Sequence, residues 1–166
     1  MKKIVVILLI ISTMLLMVSC TETPTDTSDS TSDNTDSTSQ KIVVDISAST
    51  TSVKVNEEVT FNIMVSNAKD VSTCGFKIIY DSSIFELTGG EMGLVAEVSD
   101  FSDGVGVLAF SDTIDIKDPT TVLTFKLKAK TTISQSSVSC EASFKGSENQ
   151  ILLVDSIQAE VITVTE

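Results

Sequence analysis

Apolar and polar residues alternate one by one along a central stretch of the chain, residues 73–80. One set of alternate positions holds Cys74, Phe76, Ile78 and Tyr80, and the other holds Thr73, Gly75, Lys77 and Ile79. A period of two residues is typical of a β-strand that has one face in a core. The first set is therefore predicted to face a core and the second set to face outward.

Similar short runs, rich in Val, Ile, Thr and Phe, recur at 42–46, 59–65, 84–87, 95–101, 105–110, 122–128, 138–144 and 157–164. Asp103 and Gly104, between two of these runs, form a dipeptide that favours a two-residue β-hairpin turn. One weak helical pattern is visible, around 91–97. About nine short strands separated by turn residues predict an all-β fold, a β-sandwich or jelly roll.

Two cysteines fall in the inward sets of their predicted strands. Cys74 lies in the central stretch, and Cys140 alternates with polar residues in the run 138–144. If the two strands are neighbours, a disulfide between them is geometrically feasible, and an exported protein permits one. The alternative is a pair of buried thiols that act as small hydrophobic groups. The residues leave both interpretations open.

The first twenty residues differ in character from the rest. A basic start is followed by an apolar run, 4–18, which is shorter than the ~20 residues that a membrane-spanning helix needs. The run ends in Ser19-Cys20, which resembles the cleavage site of bacterial lipoprotein precursors. That resemblance implies a signal peptide over 1–20 and a lipid on Cys20. The alternative is an ordinary secretory signal with a chance cysteine.

The next segment, 21–40, consists almost entirely of Thr, Ser and Asp and has acidic but no basic residues. Such a segment cannot bury enough apolar surface to order itself, so it is predicted to be a disordered tether. One globular domain, 41–166, then remains.

Composition excludes several classes of function. The chain has a net charge of −12, contains no His and no Trp, and all of its basic residues are Lys. The absence of His removes the usual near-neutral general base and the commonest zinc ligand. The negative charge repels nucleic acid. Nothing singles out a carboxylate pair for glycoside hydrolysis or a calcium loop. The chain is therefore predicted to bind rather than to catalyse, with no catalytic residue, metal site or cofactor.

The domain resembles a cohesin, the module that binds dockerins in cellulosomes and related cell-surface assemblies. The most specific match is Cys74-Gly75-Phe76-Lys77-Ile78-Ile79-Tyr80-Asp81 with Ile84-Phe85-Glu86-Leu87, which is similar to the family pattern F-x-(I/L/F)-x-Y-D-(P/S)-x-x-L-E. Weaker matches are 56–67 and the pair 106–112 and 121–128. Together they span nearly all of 41–166.

The resemblance implies a nine-stranded jelly-roll sandwich with the strands 72–80, 95–101, 105–112 and 138–144 in one sheet. The open face of that sheet is expected to receive the dockerin, and the resemblance also implies that any calcium lies on the dockerin partner. The expected partner-binding residues are Thr73, Gly75, Lys77, Ile79, Leu108, Phe110 and Asp112. In this expectation Val107 and Ala109 face the core, and Lys77 and Asp112 form a polar rim.

The chain departs from the family pattern at Thr73 and Gly75, where dockerin-binding cohesins carry Asn and Asp. Ser111 likewise replaces a Glu. The expected function is a lipid-anchored interaction module that holds a dockerin-bearing or other secreted protein at the cell envelope, outside the cytoplasm. The alternative is a carbohydrate-binding or adhesive sandwich for polysaccharide use, although sugar-stacking modules usually display Trp or Tyr and this chain has one Tyr.

Overall fold

The computed structural model describes residues 41–166. Their secondary structure is twelve strands and one short 3-10 turn, Ser147–Asn149. The strands are β1 Ile42–Ala48, β2 Ser52–Lys54, β3 Glu58–Ser66, β4 Ala68–Ile79, β5 Phe85–Met92, β6 Val98–Ser102, β7 Val105–Ile116, β8 Thr120–Ala129, β9 Ile133–Lys145, β10 Ile151–Leu152, β11 Val154–Ile157 and β12 Glu160–Thr165.

The strands form two sheets. The five-stranded sheet has the order β11-β1-β3-β8-β5, and the larger sheet has the order β2-β12-β9-β4-β7-β6, with β10 paired to β9. Neighbouring strands are antiparallel except for β1 with β11 and β2 with β12. The predicted all-β sandwich is confirmed, and the four strands expected to share a sheet do so.

The core fills the space between the two sheets. In the first sheet Phe61 and Phe125 stack with their ring centroids 5.0 Å apart, and in the second Phe76 and Phe144 meet edge to face at 5.7 Å. Every buried side chain among residues 41–166 is apolar. Both ring pairs have geometries that aromatic side chains favour, so they stabilise the core beyond their buried area. Because this core is complete within 41–166, we expect the domain to fold alone.

The strand count exceeds the predicted nine because strands of two or three residues are too short to show a period of two in the sequence. β2 and β10 have three and two residues. The predicted run 157–164 is divided, since β11 pairs with β1 in one sheet and β12 pairs with β9 in the other. The chain therefore crosses between the sheets after Ile157. The weak helical pattern at 91–97 corresponds to the end of β5 and a loop.

The predicted signal peptide 1–20, the lipid-anchor residue Cys20 and the tether 21–40 lie outside the described residues. Within the described part of the chain, no helix has the length and apolar character needed to cross a membrane.

Candidate protein-binding face

Four neighbouring strands of the larger sheet, β9, β4, β7 and β6, present one side to the core and the other outward. We call their outward side the outer face. Its side chains are Ser139, Glu141, Ser143 and Lys145 on β9, Thr73, Gly75, Lys77 and Ile79 on β4, Val105, Val107 and Ala109 on β7, and Val98, Asp100 and Ser102 on β6. Residues directly opposite each other on paired strands share a face, which fixes these rows.

The predicted orientation of the central strand is confirmed. Cys74, Phe76 and Ile78 are buried between the sheets. Lys77 and Ile79 are exposed on the other side, and Ile79 shows 42% of its surface to solvent. Thr73 and Gly75 lie in the same outward set and are half-buried by their neighbours.

The expectation that Leu108 faces outward is wrong. Leu108 is fully buried, whereas Val105 and Val107 are 45% and 36% exposed. The cause is the register of β7 against β4, which places Leu108 opposite the inward residue Cys74 and Val107 opposite the outward residue Gly75. The large apolar residues that β7 contributes to the outer face are thus Val105 and Val107 and not Leu108.

Phe110 is also not an exposed side chain, because it is partly buried and packs against the core. It begins a bulge in β7. Ala109 lies opposite Thr73 and Ile114 lies opposite Val71, so β7 advances five residues while β4 advances two. Asp112 lies within this bulge and is exposed, in keeping with a place at the rim of the outer face.

A local signal could have oriented β7 correctly. The predicted two-residue turn at Asp103 and Gly104 is confirmed, and it pairs Ser102 with Val105, so Asp100 falls opposite Val107 and Phe101 opposite Gly106. The set that contains the charged Asp100 faces solvent. Gly106 faces inward, since a Cβ at position 106 would lie 2.8 Å from the Sδ atom of Met92 in the other sheet.

The two cysteines are buried on adjacent strands, as predicted, but a disulfide between them is excluded. Cys74 is opposite Phe144 and Cys140 is opposite Ile78, so the two cysteines are offset by four residues. At about 3.3 Å per residue this offset is about 13 Å, well beyond the ~7 Å limit for Cα atoms that a disulfide can bridge. Both are free thiols. Burial raises the pKa of Cys74 to about 12 and that of Cys140 to about 11, so neither is a ready nucleophile.

Charged groups on the outer face are paired or peripheral. Lys77 Nζ lies 3.5 Å from Glu141 Oε2 across the β4–β9 pair, and both side chains are more than half exposed. An exposed pair of this kind adds little stability. It does neutralise the two charges nearest the centre of the face and leaves Asp100 and Lys145 towards its edges.

A hollow marks the centre of the outer face. It lies over Gly75 and has a volume of about 470 Å³. Val105 and Val107 line one side, and Lys77, Glu141 and Ser143 line the other. Glycine contributes no side chain at this point, so the sheet surface is lower here than around it.

Away from the outer face, Asp70 organises the loop after β9. Its carboxylate accepts hydrogen bonds from the Ser147 hydroxyl at 2.6 Å and the Ser147 N–H at 3.2 Å. The Ser147 hydroxyl, followed by that of Thr113, lowers the pKa of Asp70. The Asp70 N–H donates to Asp115 Oδ1 at 3.0 Å. Among residues 41–166, no three His, Cys, Asp or Glu side chains are grouped as metal ligands.

Comparisons with a family model and with solved structures both match this domain to cohesins. The family model described as Cohesin domain matches residues 42–164. A cohesin module from a Clostridium perfringens family 33 glycoside hydrolase is 10% identical, with a TM-score of 0.59, covering 76% of this chain and 99% of that one. The sixth cohesin of Acetivibrio cellulolyticus scaffoldin B, solved in complex with a mutant Cel5 dockerin, is 18% identical, with a TM-score of 0.58 and coverage of 75% and 99%.

A non-cellulosomal cohesin from the hyperthermophilic archaeon Archaeoglobus fulgidus is 13% identical, with a TM-score of 0.59 and coverage of 76% and 92%. No curated protein matches the chain. At these identities the solved structures establish a shared fold, and the family model covers nearly the whole described domain.

Proposed function

Because the chain belongs to the cohesin domain family, we propose that it is a non-catalytic docking module whose outer face binds a dockerin-type module of a secreted protein. Solved cohesins with this fold include two from Acetivibrio cellulolyticus that were determined in complex with dockerins. We expect the same kind of partner for this chain.

The exposed apolar side chains of the outer face carry the proposal. Val98, Val105, Val107 and Ile79 are between 36% and 49% exposed although they lie on hydrogen-bonded strands of one sheet. Apolar side chains grouped on a rigid, exposed surface mark interaction sites. The paired charges of Lys77 and Glu141 and the outlying Asp100 favour one orientation of a partner more than they add affinity.

The outer face also has suitable dimensions for a helical partner. Neighbouring strands lie about 4.8 Å apart, so the axes of β9 and β6 are separated by about 14 Å. An α-helix with its side chains is about 10–12 Å in diameter. One helix of the partner can therefore lie along the strands of this face with its apolar side on the valines.

The carbohydrate-binding alternative lacks a platform in this structure. Sugar rings stack on exposed aromatic side chains, and none of the aromatic residues in 41–166 is exposed. The single tyrosine, Tyr80, packs partly buried against the core. A protein partner uses the surface that is present, which is aliphatic.

We further propose that the mature protein begins at Cys20, carries lipid there and displays the domain outside the cytoplasm. A tether of twenty residues, at about 5–6 Å times the square root of its length, places the domain roughly 25 Å from the bilayer. Two or more acyl chains anchor such a protein stably. In this arrangement the chain holds its secreted partner at the cell envelope.

The test is an affinity capture from the secreted proteins of the host, with residues 41–166 as bait, in calcium and in EDTA. Dockerin-bearing proteins are expected in the calcium sample and not in the EDTA sample, since any calcium belongs to the partner. Val107→Asp should abolish their capture. Ile157→Asp should leave it unchanged, because Ile157 is equally exposed at 36% but lies in the opposite sheet.

Two results contradict the proposal. One is capture of no dockerin-bearing protein by the folded wild-type domain. The other is equal capture by the Val107→Asp and wild-type domains, which moves any binding site off the outer face.

A further inference from the structure

The hollow over Gly75 is not a by-product of how the domain folds. Glycine is required at position 93, where a Cβ would lie 2.4 Å from the Thr121 backbone oxygen, and at position 90, where it would lie 2.4 Å from the Phe101 ring. At position 75 a Cβ would meet only the Ser143 hydroxyl at 3.1 Å and a backbone oxygen at 3.9 Å. The serine side chain can rotate away, so the fold itself accepts a side chain at position 75.

The hollow has an apolar wall and a polar wall. Val105 and Val107 supply exposed methyl groups, and the two charges on the other side, Lys77 and Glu141, are already paired with each other. The Ser143 hydroxyl is the other polar side chain lining it. A polar group brought here by a partner competes with the Lys77–Glu141 pair for hydrogen bonds, whereas an apolar group packs on the exposed methyl groups of the valines.

The size of the hollow agrees with an inserted side chain. Its volume of about 470 Å³ lies within the 300–1,000 Å³ typical of small-molecule sites, but it opens along the sheet surface instead of enclosing a ligand. An open hollow in a flat face suits one or two large side chains projecting from a helix. Side chains that fill central, desolvated pockets dominate the affinity of protein interfaces.

We propose that Gly75 is the specificity-determining residue of the outer face. The hollow that it creates selects a dockerin-type partner with a large aliphatic or aromatic side chain at the docking position, in place of the polar contacts that Asn and Asp would make at positions 73 and 75. This inference rests on the proposed function and adds the chemistry of the partner that the face accepts.

The experiment compares a variant in which the hollow is filled with a control variant in which another glycine receives the same side chain. Gly75→Leu fills the hollow, and Gly89→Leu places the same side chain on β5 of the opposite sheet, where a Cβ meets nothing within 4 Å. The probe is a displayed library on a two-helix dockerin scaffold, randomised on one helix face and selected in calcium against residues 41–166. Affinities of the selected dockerins are then measured for each variant, after thermal unfolding has shown that both fold.

We expect the selected dockerins to share a Leu, Ile, Met or Phe at one helix position. Gly75→Leu should weaken their binding at least tenfold, and Gly89→Leu should change it less than twofold. When the shared side chain of the dockerin is replaced by Gly, the trimmed dockerin should bind the Gly75→Leu domain better than it binds the wild-type domain. The added leucine then occupies the space that the dockerin side chain has left.

Selection of Ser, Thr or Asp at the docking position, or binding unaffected by Gly75→Leu, overturns the specificity inference and leaves the docking function standing. If no dockerin is selected whose binding Val107→Asp disrupts, the docking function is overturned, and this inference with it. Sedimentation of the domain alone supplies a further outcome. A dimer that Gly75→Leu dissociates identifies a second copy of the chain as the occupant and also overturns the inference.

Discussion

The orientation of β7 can be tested by comparing two adjacent residues, Leu108 and Val107. Leu108 is fully buried between the sheets, and Val107 is 36% exposed on the outer face. Leu108→Ala removes three carbon atoms from a packed core. Buried Leu→Ala substitutions destabilise by about 2–5 kcal/mol, depending on how far the surroundings collapse into the cavity.

Collapse is limited at this site. Leu108 lies opposite Cys74 on β4, and both strands are held by neighbours on each side. We therefore expect a loss of about 3 kcal/mol or more. For a domain of this size, about 4 °C per kcal/mol gives a fall in Tm of roughly 12 °C. Val107→Ala removes side-chain surface that is already partly hydrated and should cost no more than about 1 kcal/mol.

Urea unfolding followed by circular dichroism gives both free energies of unfolding. Binding of a captured dockerin, measured at a temperature where both variants are folded, should fall for Val107→Ala and stay near wild type for Leu108→Ala. A larger loss of stability for Val107→Ala than for Leu108→Ala would refute the orientation of β7, and with it the composition of the outer face.

In the folded domain Cys74 and Cys140 should not react with a thiol reagent at pH 8, because their pKa values are raised by burial, and both should react after unfolding; a Tm that depends on reductant would contradict this. Asp70→Asn should lower the urea midpoint at pH 7, because the lowered pKa of Asp70 stabilises the fold only while its carboxylate is ionised. That difference should shrink as the pH falls below the ordinary value of 3.8, and a constant difference would refute the role of the Ser147 hydrogen bonds. Cys20→Ala should release the protein from the membrane fraction or leave an uncleaved precursor, and normal processing with unchanged fractionation would exclude a lipid anchor.

Local patterns were sufficient for the elements and for some orientations. The alternation at 73–80 predicted that Thr73 and Lys77 face outward and Cys74 faces the core, because polar and apolar positions differ clearly there. Asp103 and Gly104 predicted the hairpin turn, since both adopt positive φ values, 51° and 78°, that a turn of this kind requires. These features depend on neighbours a few residues apart.

β7 shows where a local pattern is insufficient. Both of its faces carry apolar residues, with Val105 and Val107 on one and Leu108 and Phe110 on the other, so alternation alone cannot tell which side is the core. The resemblance to cohesins did not resolve this, because it aligned the strand without fixing its register. Register with the hairpin partner, which sets Asp100 against Val107, would have resolved it.

The sequence by itself therefore determined the all-β sandwich and the outward set on β4, since each depends on residue type and short-range periodicity, and its resemblance to cohesin motifs indicated the family. Tertiary structure decided the orientation of β7, the four-residue offset that keeps Cys74 and Cys140 apart, and the hollow over Gly75. Each of these depends on which residues of distant strands lie opposite one another. That register is set by contacts across the sandwich, such as Met92 against Gly106, between segments that alternation along a single strand does not relate.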